Sequence, residues 1–174
     1  VANGFMSENI TNRSISMWIK PADLVNNMAL YEEGSEKGGI GLRLKNGNIH
    51  GIVVESGGFS GNQSFPLSAP FPVNTDWHHV GLVYDGDILS LYLDGVEVAS
   101  VTTGLGTIIL EPNTEGGIGG FFGWHPFVRQ DYPPSAMIAL LFSGSDPQED
   151  FYNGLMDNVS NFEVALSADQ MEDL

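Results

Sequence analysis

Carboxylate and amide side chains are concentrated in one short segment near the end of the chain, residues 145–150 (SDPQED). Asp146, Gln148, Glu149 and Asp150 bring four oxygen-bearing side chains into one loop. Calcium binds about six to eight oxygens, several of them from carboxylates and the rest from amides, carbonyls or water. Pro147 stiffens the loop and lowers the entropy cost of gathering like charges. The segment therefore predicts a calcium-binding loop, with a solvated turn as the alternative.

Aromatic residues beside planar polar groups form a second pattern. A carbohydrate site combines an exposed ring, which stacks on the C–H face of a sugar, with polar side chains for the hydroxyls. Trp124 and Tyr132 each lie next to turn-favouring or charged residues rather than inside an alternating strand, so both are predicted to contact a ligand. His125 and Arg129 lie between them, and Phe59 occupies a glycine-rich loop. Other aromatic residues of the segment are expected to anchor it to the fold.

The acidic residues do not follow a pattern typical of hydrolysis. Sugar hydrolysis uses two carboxylates about 5–10 Å apart, and on a strand these recur at alternate positions, as in E-x-D-x-E. The acidic residues cluster instead at 32–36, 146–150 and 169–173, which are interpreted as loops. The sequence contains no G-x-S-x-G, no H-E-x-x-H and no phosphate loop. These features predict a protein that is not an enzyme.

Charge and composition exclude several classes of partner. The chain has 22 Asp and Glu against 6 Lys and Arg, and its net charge of −16 at pH 7 repels nucleic-acid phosphates and anionic membranes. It also attracts divalent cations, although solubility in a salty medium would explain the same excess. The absence of cysteine excludes disulfides and zinc-thiolate sites, and favours a bacterial over an animal extracellular protein. No apolar run approaches the length of about 18 residues that spans a membrane.

The elements that must position these residues are mostly β-strands. At residues 14–20 polar and apolar residues alternate, which places Ile15, Met17 and Ile19 on one face and Trp18 on the other. Asn46-Gly47, Asp85-Gly86 and Asp94-Gly95 are hairpin signals. The remaining predicted strands are 40–45, 48–55, 76–84, 88–93, 96–101, 108–110, 116–122, 136–142 and 151–162. About a dozen strands with almost no helix predict an all-β, two-sheet antiparallel jelly-roll sandwich.

Local signals also assign roles to single residues. Trp18 and Trp77 occur in alternating segments, which predicts packing in the core. His78 and His79 are neighbours on one strand, so their side chains face opposite ways and cannot bind one metal together. Structural roles are predicted for both. A short helix is predicted at 167–174, where Ser167 and Gln170 complete a capping box.

Three segments, taken in order, resemble the laminin-G-like and pentraxin-like members of the concanavalin A-like lectin/glucanase superfamily. They are residues 14–21 (SISMWIKP), 75–95 (TDWHHVGLVYDGDILSLYLDG) and 152–171 (YNGLMDNVSNFEVALSADQM). They are similar to the first strand, the central signature and the closing pattern of that group. The resemblance implies a single jelly-roll domain over residues 1–174, with an irregular insertion at about 121–150 that shorter members lack. Such insertions on a rigid scaffold tend to carry function.

The resemblance also implies metal sites. In pentraxin-like members an acidic loop before the closing strand binds calcium with help from a loop in the first third of the chain, whose counterpart here is residues 32–36 and includes Glu36. Asp157 corresponds to an aspartate that often contacts a structural calcium in laminin-G-like domains. A carboxylate that accepts hydrogen bonds from backbone N–H groups is the alternative for Asp157.

The residues and the resemblance together predict a calcium-dependent, lectin-like carbohydrate-binding module. It would form one unit of a larger secreted or cell-surface protein, such as a bacterial adhesin, with a glycan or polysaccharide as ligand and neighbouring domains as partners. Two alternatives stay open: a protein-binding adhesion domain that uses the same surface, and a structural spacer stabilised by calcium. A polysaccharide hydrolase is a further alternative, since the fold alone hosts many functions.

Overall fold

Ten β-strands and one short helix make up the described part of the computed structural model, which covers residues 9–35, 37–55, 63–110, 116–120, 126–127 and 151–174. The strands are β1 (Arg13–Pro21), β2 (Met28–Gly34), β3 (Gly39–Lys45), β4 (Asn48–Glu55), β5 (Gln63–Pro70), β6 (His78–Tyr84), β7 (Ile88–Leu93), β8 (Val96–Thr102), β9 (Gly116–Ile118) and β10 (Gly154–Phe162). The helix is α1 (Ala168–Glu172). The predicted strand at 136–142 lies outside the described residues, as does the insertion at 121–150 apart from Pro126 and Phe127.

The strands form two five-stranded antiparallel sheets. The first sheet has the order β10-β1-β6-β7-β8, and the second has the order β5-β4-β3-β2-β9. Neighbouring strands in each sheet are antiparallel at every described pairing. This arrangement confirms the predicted all-β jelly-roll sandwich with a short helix near the end of the chain.

The core lies between the sheets, where alternate residues of each strand face inward. Ile15, Met17 and Ile19 of β1 are fully buried, as their alternation predicted. They belong to one apolar cluster with residues of the second sheet such as Ile40 and Leu42. Full burial of such a side chain contributes about 1.5–3 kcal/mol. Burial of this cluster therefore determines which residues of each strand point outward, onto the outer faces of the two sheets.

Two of the three predicted hairpin turns have the expected geometry. Asn46 and Gly47 have φ values of 52° and 71°, and Asp94 and Gly95 have values of 50° and 79°. Positive φ at both central residues is what a type I′ turn requires, and Asn-Gly and Asp-Gly tolerate it best. The third signal begins a longer connection, residues 85–87. It differs because the Asp85 carboxylate accepts the backbone N–H groups of the two residues that end this connection and begin β7.

Two strands were missing from the predictions, and four predicted strands are shorter than expected, including those at 76–84 and 151–162, which begin at His78 and Gly154. Glu32 and Glu33 made residues 32–36 look like an acidic loop, but both lie in β2 and are buried. β5 was missed because Pro66 interrupts it, and an edge strand tolerates proline. The strand predicted at 116–122 ends at Ile118. At 108–110, Ile108 forms one isolated bridge.

The segment around α1 covers part of the outer face of the first sheet. The predicted capping box is confirmed, because Ser167 and Gln170 each accept the other's backbone N–H through their side chains. The buried Met171 packs against Val83 and Tyr92 on that face.

No helix among the described residues is long and apolar enough to cross a membrane.

Candidate functional site

The outer face of the second sheet is the first candidate platform, and we call it the second-sheet face. Ile40, Leu42 and Leu44 of β3 point into the core, so the residues between them point outward. The register places Ala29, Arg43 and His50 in one cross-strand row and Glu32, Gly41 and Ile52 in the next. The face thus combines apolar, small and charged residues, most of which are buried.

Phe127 packs directly on the second-sheet face. The Arg43 guanidinium carbon lies 4.0 Å from the centroid of its ring, which is a cation–π geometry. A Cβ added to Gly41 would lie 2.8 Å from the ring atom Cε2, so the glycine creates the space that the ring occupies. Phe127 is fully buried and clusters with Ala29, Ile52 and other outward residues. The segment that contains Phe127 is therefore anchored on this face.

Two opposite charges lie buried on the same face. Glu32 and Arg43 are each 2% exposed, although both point away from the core. A buried charge is tolerated only when other groups pair or hydrogen-bond with it, and both residues have further partners. The second-sheet face is thus a covered, electrostatically organised surface.

The two adjacent histidines have structural roles, as predicted. His78 Nδ1 lies 2.8 Å from Asp94 Oδ2, and its Nε2 lies 2.9 Å from Asn74 Oδ1. His79 faces the opposite side, with Nε2 2.7 Å from the Ser16 hydroxyl. Burial lowers the pKa of His79, and the negative charge of Asp94 opposes that shift. These contacts connect the β7–β8 turn and the loop before β6 to the first sheet.

A buried polar network joins the two sheets at the end where β1 begins. Arg13 Nη2 donates to Glu33 Oε1 at 2.8 Å, and the Tyr31 hydroxyl donates to Glu33 Oε2 at 2.9 Å. Asn161 Nδ2 donates in turn to the Tyr31 hydroxyl. Burial raises the pKa of Glu33, while Arg13 and the donated hydrogen bonds act in the opposite direction. Burial also raises the pKa of Tyr31. The network is internal, so its role is to hold the sheets together.

One predicted metal ligand lies within the described residues. Asp157 is exposed on β10, and its Oδ1 accepts the N–H of Asn158 at 2.8 Å, which matches the backbone-bonded alternative for this residue. The other predicted ligands, Glu36, Asp146, Gln148, Glu149 and Asp150, lie outside the described residues. Within the described ranges no three His, Asp or Glu side chains are grouped so as to hold a metal ion. The calcium prediction therefore depends on the loop at 145–150.

Asp157 lies away from the end of the sandwich at which the β2–β3 connection begins. That connection follows Glu33, whose carboxylate contacts Arg13 at the start of β1. Asp157 pairs instead with Trp18, near the end of β1. At about 3.3 Å per residue, roughly 16 Å separate Arg13 from Trp18 along the strand. Since calcium–oxygen distances are about 2.4 Å, one ion is not expected to bind both regions.

The predicted ligand contacts Trp124, His125, Arg129, Tyr132 and Phe59 also lie outside the described residues. Trp124 and His125 immediately precede Pro126 and Phe127 in the chain. Phe127 packs on the sheet, in agreement with the expectation that other aromatic residues of this segment anchor it to the fold. The sequence did not indicate the sheet face on which it packs. The available signal was Gly41 at an outward position of β3, because an interior glycine in a strand often marks the close approach of another group.

An exposed tryptophan was wrongly assigned to the core. Trp77 immediately precedes β6 and is 39% exposed. Alternation places it on the same side as His79, which is the outer face of the first sheet. Trp18 lies on that face too, half-buried, with its ring centroid 5.5 Å from that of His79. The inward positions of Ile15, Met17 and Ile19 already implied an outward Trp18, but no local signal separated the exposed Trp77 from a core residue.

The chain is similar to known proteins in sequence pattern and in fold. The family model described as the concanavalin A-like lectin/glucanases superfamily matches residues 5–172. No curated protein matches the chain in sequence.

Solved structures with the same fold share little sequence with this chain. A candidate carbohydrate binding protein from Bacteroides ovatus is 17% identical, with a TM-score of 0.64, and the match covers 97% of this chain and 42% of that one. Domain 4 of AbnA, a GH43 extracellular arabinanase from Geobacillus stearothermophilus, in complex with arabinotriose, is 19% identical, with a TM-score of 0.60 and coverages of 94% and 66%. The CBM40 of the Ruminococcus gnavus IT-sialidase, bound to α2,3-sialyllactose, is 14% identical, with a TM-score of 0.64 and coverages of 94% and 82%.

Proposed function

The chain belongs to the concanavalin A-like lectin/glucanases superfamily, and from that membership and the geometry above we propose that it is a carbohydrate-binding domain without catalytic activity. The observation that carries the proposal is the docking of Phe127 on the second-sheet face. The aromatic and polar candidates Trp124 and His125 shortly precede Phe127 in the chain. The proposed site therefore joins this segment to a rigid sheet, which limits the entropy lost on binding.

The solved structures support a sugar as the ligand class. Domain 4 of the arabinanase is in complex with arabinotriose, and the CBM40 of the sialidase is bound to sialyllactose. The chain spans 42% of the Bacteroides ovatus protein and 66% of the arabinanase domain. The domain would therefore belong to a longer protein, and we propose, rather than observe, what that protein does and binds.

The absence of catalytic activity is proposed on the distribution of carboxylates. Hydrolysis of a glycosidic bond needs two carboxylates that flank it. Among the outward positions of the described strands of the second sheet, Glu32 is the one acidic residue, and it is buried. Glu33, its neighbour in the chain, is on the core side and pairs with Arg13. The described part of the second-sheet face thus presents no pair of carboxylates that could flank a glycosidic bond.

The central experiment is a glycan array with the wild-type protein, followed by calorimetry on single variants. Trp124→Ala is expected to weaken binding of the best glycan at least tenfold, which corresponds to about 1.4 kcal/mol of lost stacking. Trp77→Ala is the matched control, because Trp77 is an exposed tryptophan beside the first sheet. Undiminished binding by Trp124→Ala together with loss in Trp77→Ala would move the site to the first sheet. An array on which no glycan binds would contradict the proposed function.

Calcium dependence and an extracellular setting complete the proposal. The net charge of −16 and the carboxylates Asp146, Glu149 and Asp150 in one loop favour a bound calcium. We place the domain in a secreted or cell-surface bacterial protein, such as an adhesin, where it would attach neighbouring domains to a glycan.

A further inference from the structure

Strand β8 forms one edge of the first sheet, and the described part of the structure leaves that edge open. The strand pairs with β7 alone. Among the described residues, no backbone hydrogen bond joins it to any other element. Five of its seven residues are exposed, and two of these are Val96 and Val98. An open edge presents a row of backbone donors and acceptors with which another chain can pair.

The other three sheet edges carry features that hinder such pairing. β5 contains Pro66 and Pro70, which lack the N–H that a ladder needs. β10 has a register shift beside Asn158, whose φ is 50°, and β9 has three residues, two of them glycine. β8 also has a register shift, at Val98, but residues 99–102 pair regularly with β7. β8 is therefore the edge that best accepts an added strand.

The hydrogen-bond pattern shows which backbone groups of β8 point away from β7. The Thr103 N–H donates to the Asp87 carbonyl at 2.6 Å, which makes these two residues a hydrogen-bonded pair. The next pair along the ladder is Thr102 with Ile88. Hydrogen-bonded and non-hydrogen-bonded pairs alternate in an antiparallel ladder. Thr102 and Ser100 therefore direct their N–H and C=O groups away from β7, toward the open edge.

The two faces of an added strand would meet different surroundings. Ala99 and Val101 pack against the core. Ser100 and Thr102 alternate with them and so point to the outer face of the sheet. A residue opposite Ala99 or Val101 would meet apolar side chains, whereas a residue opposite Ser100 or Thr102 would lie on the outer face. An added strand in which apolar and polar residues alternate fits both faces.

The charged residues on and around β8 are acidic. Glu97 lies on β8 itself, Asp94 lies in the turn before it, and Asp85 and Asp87 lie where β7 begins. Glu172 of α1 lies against the β7–β8 turn. Strands β7 and β8, the turns at their ends and α1 contain no Lys or Arg. The electrostatic complement of this edge is therefore basic.

We propose that β8 binds an extended basic segment of a partner protein, which adds to the first sheet as a sixth, antiparallel strand. The basic residues of the segment pair with Ser100 and Thr102 through the backbone and point to the outer face, on which Glu97 lies. Apolar residues alternate with them and lie beside Ala99 and Val101. Backbone pairing provides the affinity, and the alternation provides the specificity. This inference is independent of the proposed glycan function, because the second-sheet face takes no part in it.

The proposal is tested by fluorescence anisotropy with a short labelled peptide in which lysine alternates with valine and both ends are blocked. The wild-type protein is expected to bind one equivalent. Two further peptides of equal charge carry a methyl group on the backbone nitrogen of every lysine or of every valine. Methylation at the lysines removes the N–H groups that bond to β8, and is expected to weaken binding by at least about tenfold. Methylation at the valines leaves those groups intact and is expected to preserve binding.

Equal weakening by the two methylated peptides would show that charge alone attracts the peptide, and would overturn the proposal. Failure of the unmethylated peptide to bind would overturn it as well. Hydrogen exchange on the wild-type protein is a second measurement. The peptide is expected to slow exchange of the Ser100 and Thr102 amides but not of the Val101 amide, which β7 already protects. Unchanged exchange at both Ser100 and Thr102 contradicts strand addition.

Ser100→Pro removes one outward N–H without removing a bond to β7, and is expected to abolish peptide binding. Ser68→Pro is the matched control, because Ser68 also directs its N–H outward, on the edge formed by β5. The Phe71 N–H donates to the Gly47 carbonyl, and alternation from that pair fixes the outward position of Ser68. This control is expected to bind the peptide normally. Equal loss in the two variants, with unchanged melting temperatures, would contradict the assignment to β8.

Discussion

Arg13 and Glu33 place an ion pair inside the sandwich, where water cannot stabilise either charge. Their N–O distance is 2.8 Å and neither side chain is more than 2% exposed. The pair connects β1 of the first sheet to β2 of the second, and Tyr31 and Asn161 extend it. Such a pair stabilises the fold less than its Coulomb energy would indicate, because both charges were desolvated, but loss of one partner is costly. This difference makes the pair a sensitive test of the structure.

Arg13→Met is expected to lower the free energy of unfolding by about 3–5 kcal/mol, because it leaves a buried carboxylate without its cation. The double variant Arg13→Met with Glu33→Gln is expected to recover part of that loss, since the neutral amide still accepts from Tyr31. Urea unfolding of both variants measures the difference. A double variant less stable than Arg13→Met would contradict this interpretation of the pair.

The titration of His79 is expected to make the free energy of unfolding depend on pH. Burial holds the pKa of His79 below its ordinary value of 6.5 in the folded protein, so the unfolded chain binds more protons just below pH 6.5. The contribution of neutral His79 is therefore complete above that pH and is lost as the pH falls from 6.5 toward the folded-state pKa. Unfolding in urea at about pH 7.5 and pH 5.5 measures this loss. His79→Gln, which can still bond Ser16, is expected to show a smaller decrease, and an unchanged slope would contradict the assignment.

The strands and turns show how far local signals determine the fold. Alternation located β1 and β6, and the positive-φ turns at Asn46-Gly47 and Asp94-Gly95 followed from residue type alone. β2 was missed because Glu32 and Glu33 look solvated in the sequence, while the partners that bury them are distant in the chain. Burial of charge is decided by tertiary contacts, so no local pattern could reveal it.

The candidate site was predictable to a smaller extent, for the same reason. The aromatic composition of residues 121–150 indicated a ligand-binding segment, but not the face on which it docks. That face is determined by Gly41 and Arg43, far away in sequence, where Phe127 packs. Trp77 was predicted to pack in the core because it follows a strand-like alternation, but it is exposed. The local pattern around an exposed tryptophan and around a buried one is the same.

At the scale of one strand, Gly41→Ala tests whether the second-sheet face positions the ligand site. The added methyl group would lie 2.8 Å from the Phe127 ring, so the ring must move. We expect a loss of about 1–3 kcal/mol in stability, the usual cost of overpacking, and weaker binding of the glycan identified on the array. Calorimetry and urea unfolding measure the two effects.

Gly47→Ala is the control for this prediction. Gly47 has a φ of 71°, so alanine there is strained by about 1–2 kcal/mol, but its surroundings are open. It is expected to lower stability to a similar degree without changing glycan binding. Equal loss of binding in both variants would show that reduced stability, rather than a displaced Phe127, explains the effect.

The whole molecule combines a rigid two-sheet scaffold with a large excess of negative charge. That excess of −16 opposes the compact state through self-repulsion, and bound cations relieve it. Two different cation effects are thus expected: general screening by salt, and specific binding by the loop at 145–150. Thermal unfolding separates them, because screening depends on ionic strength and specific binding depends on the identity of the ion.

Calcium at about 2 mM is expected to raise the melting temperature relative to a chelator at matched ionic strength. If that concentration is about 100 times the Kd, the gain is about 2.7 kcal/mol, or roughly 5–10 °C for a domain of this size. The same concentration of magnesium is expected to have a smaller effect, since magnesium gives up its waters reluctantly. Asp146→Asn combined with Glu149→Gln is expected to abolish the calcium effect. Identical melting curves in calcium and chelator would remove calcium from the proposed function.

The pairing of β1 with β10 has a consequence for how the protein is made. The Ser14 hydroxyl bonds the Val164 carbonyl, 150 residues away in the chain, and β1 fills a central position of its sheet beside β10. A ribosome adds roughly 5–20 residues per second, so β1 leaves the exit tunnel on the order of ten seconds before its second neighbour is synthesised. During that interval one backbone edge of β1 can pair with β6, but its other edge lacks β10. Nascent chains arrested before residue 154 are therefore expected to be captured by chaperones and cut by proteases, whereas chains long enough for β10 to have left the tunnel are not.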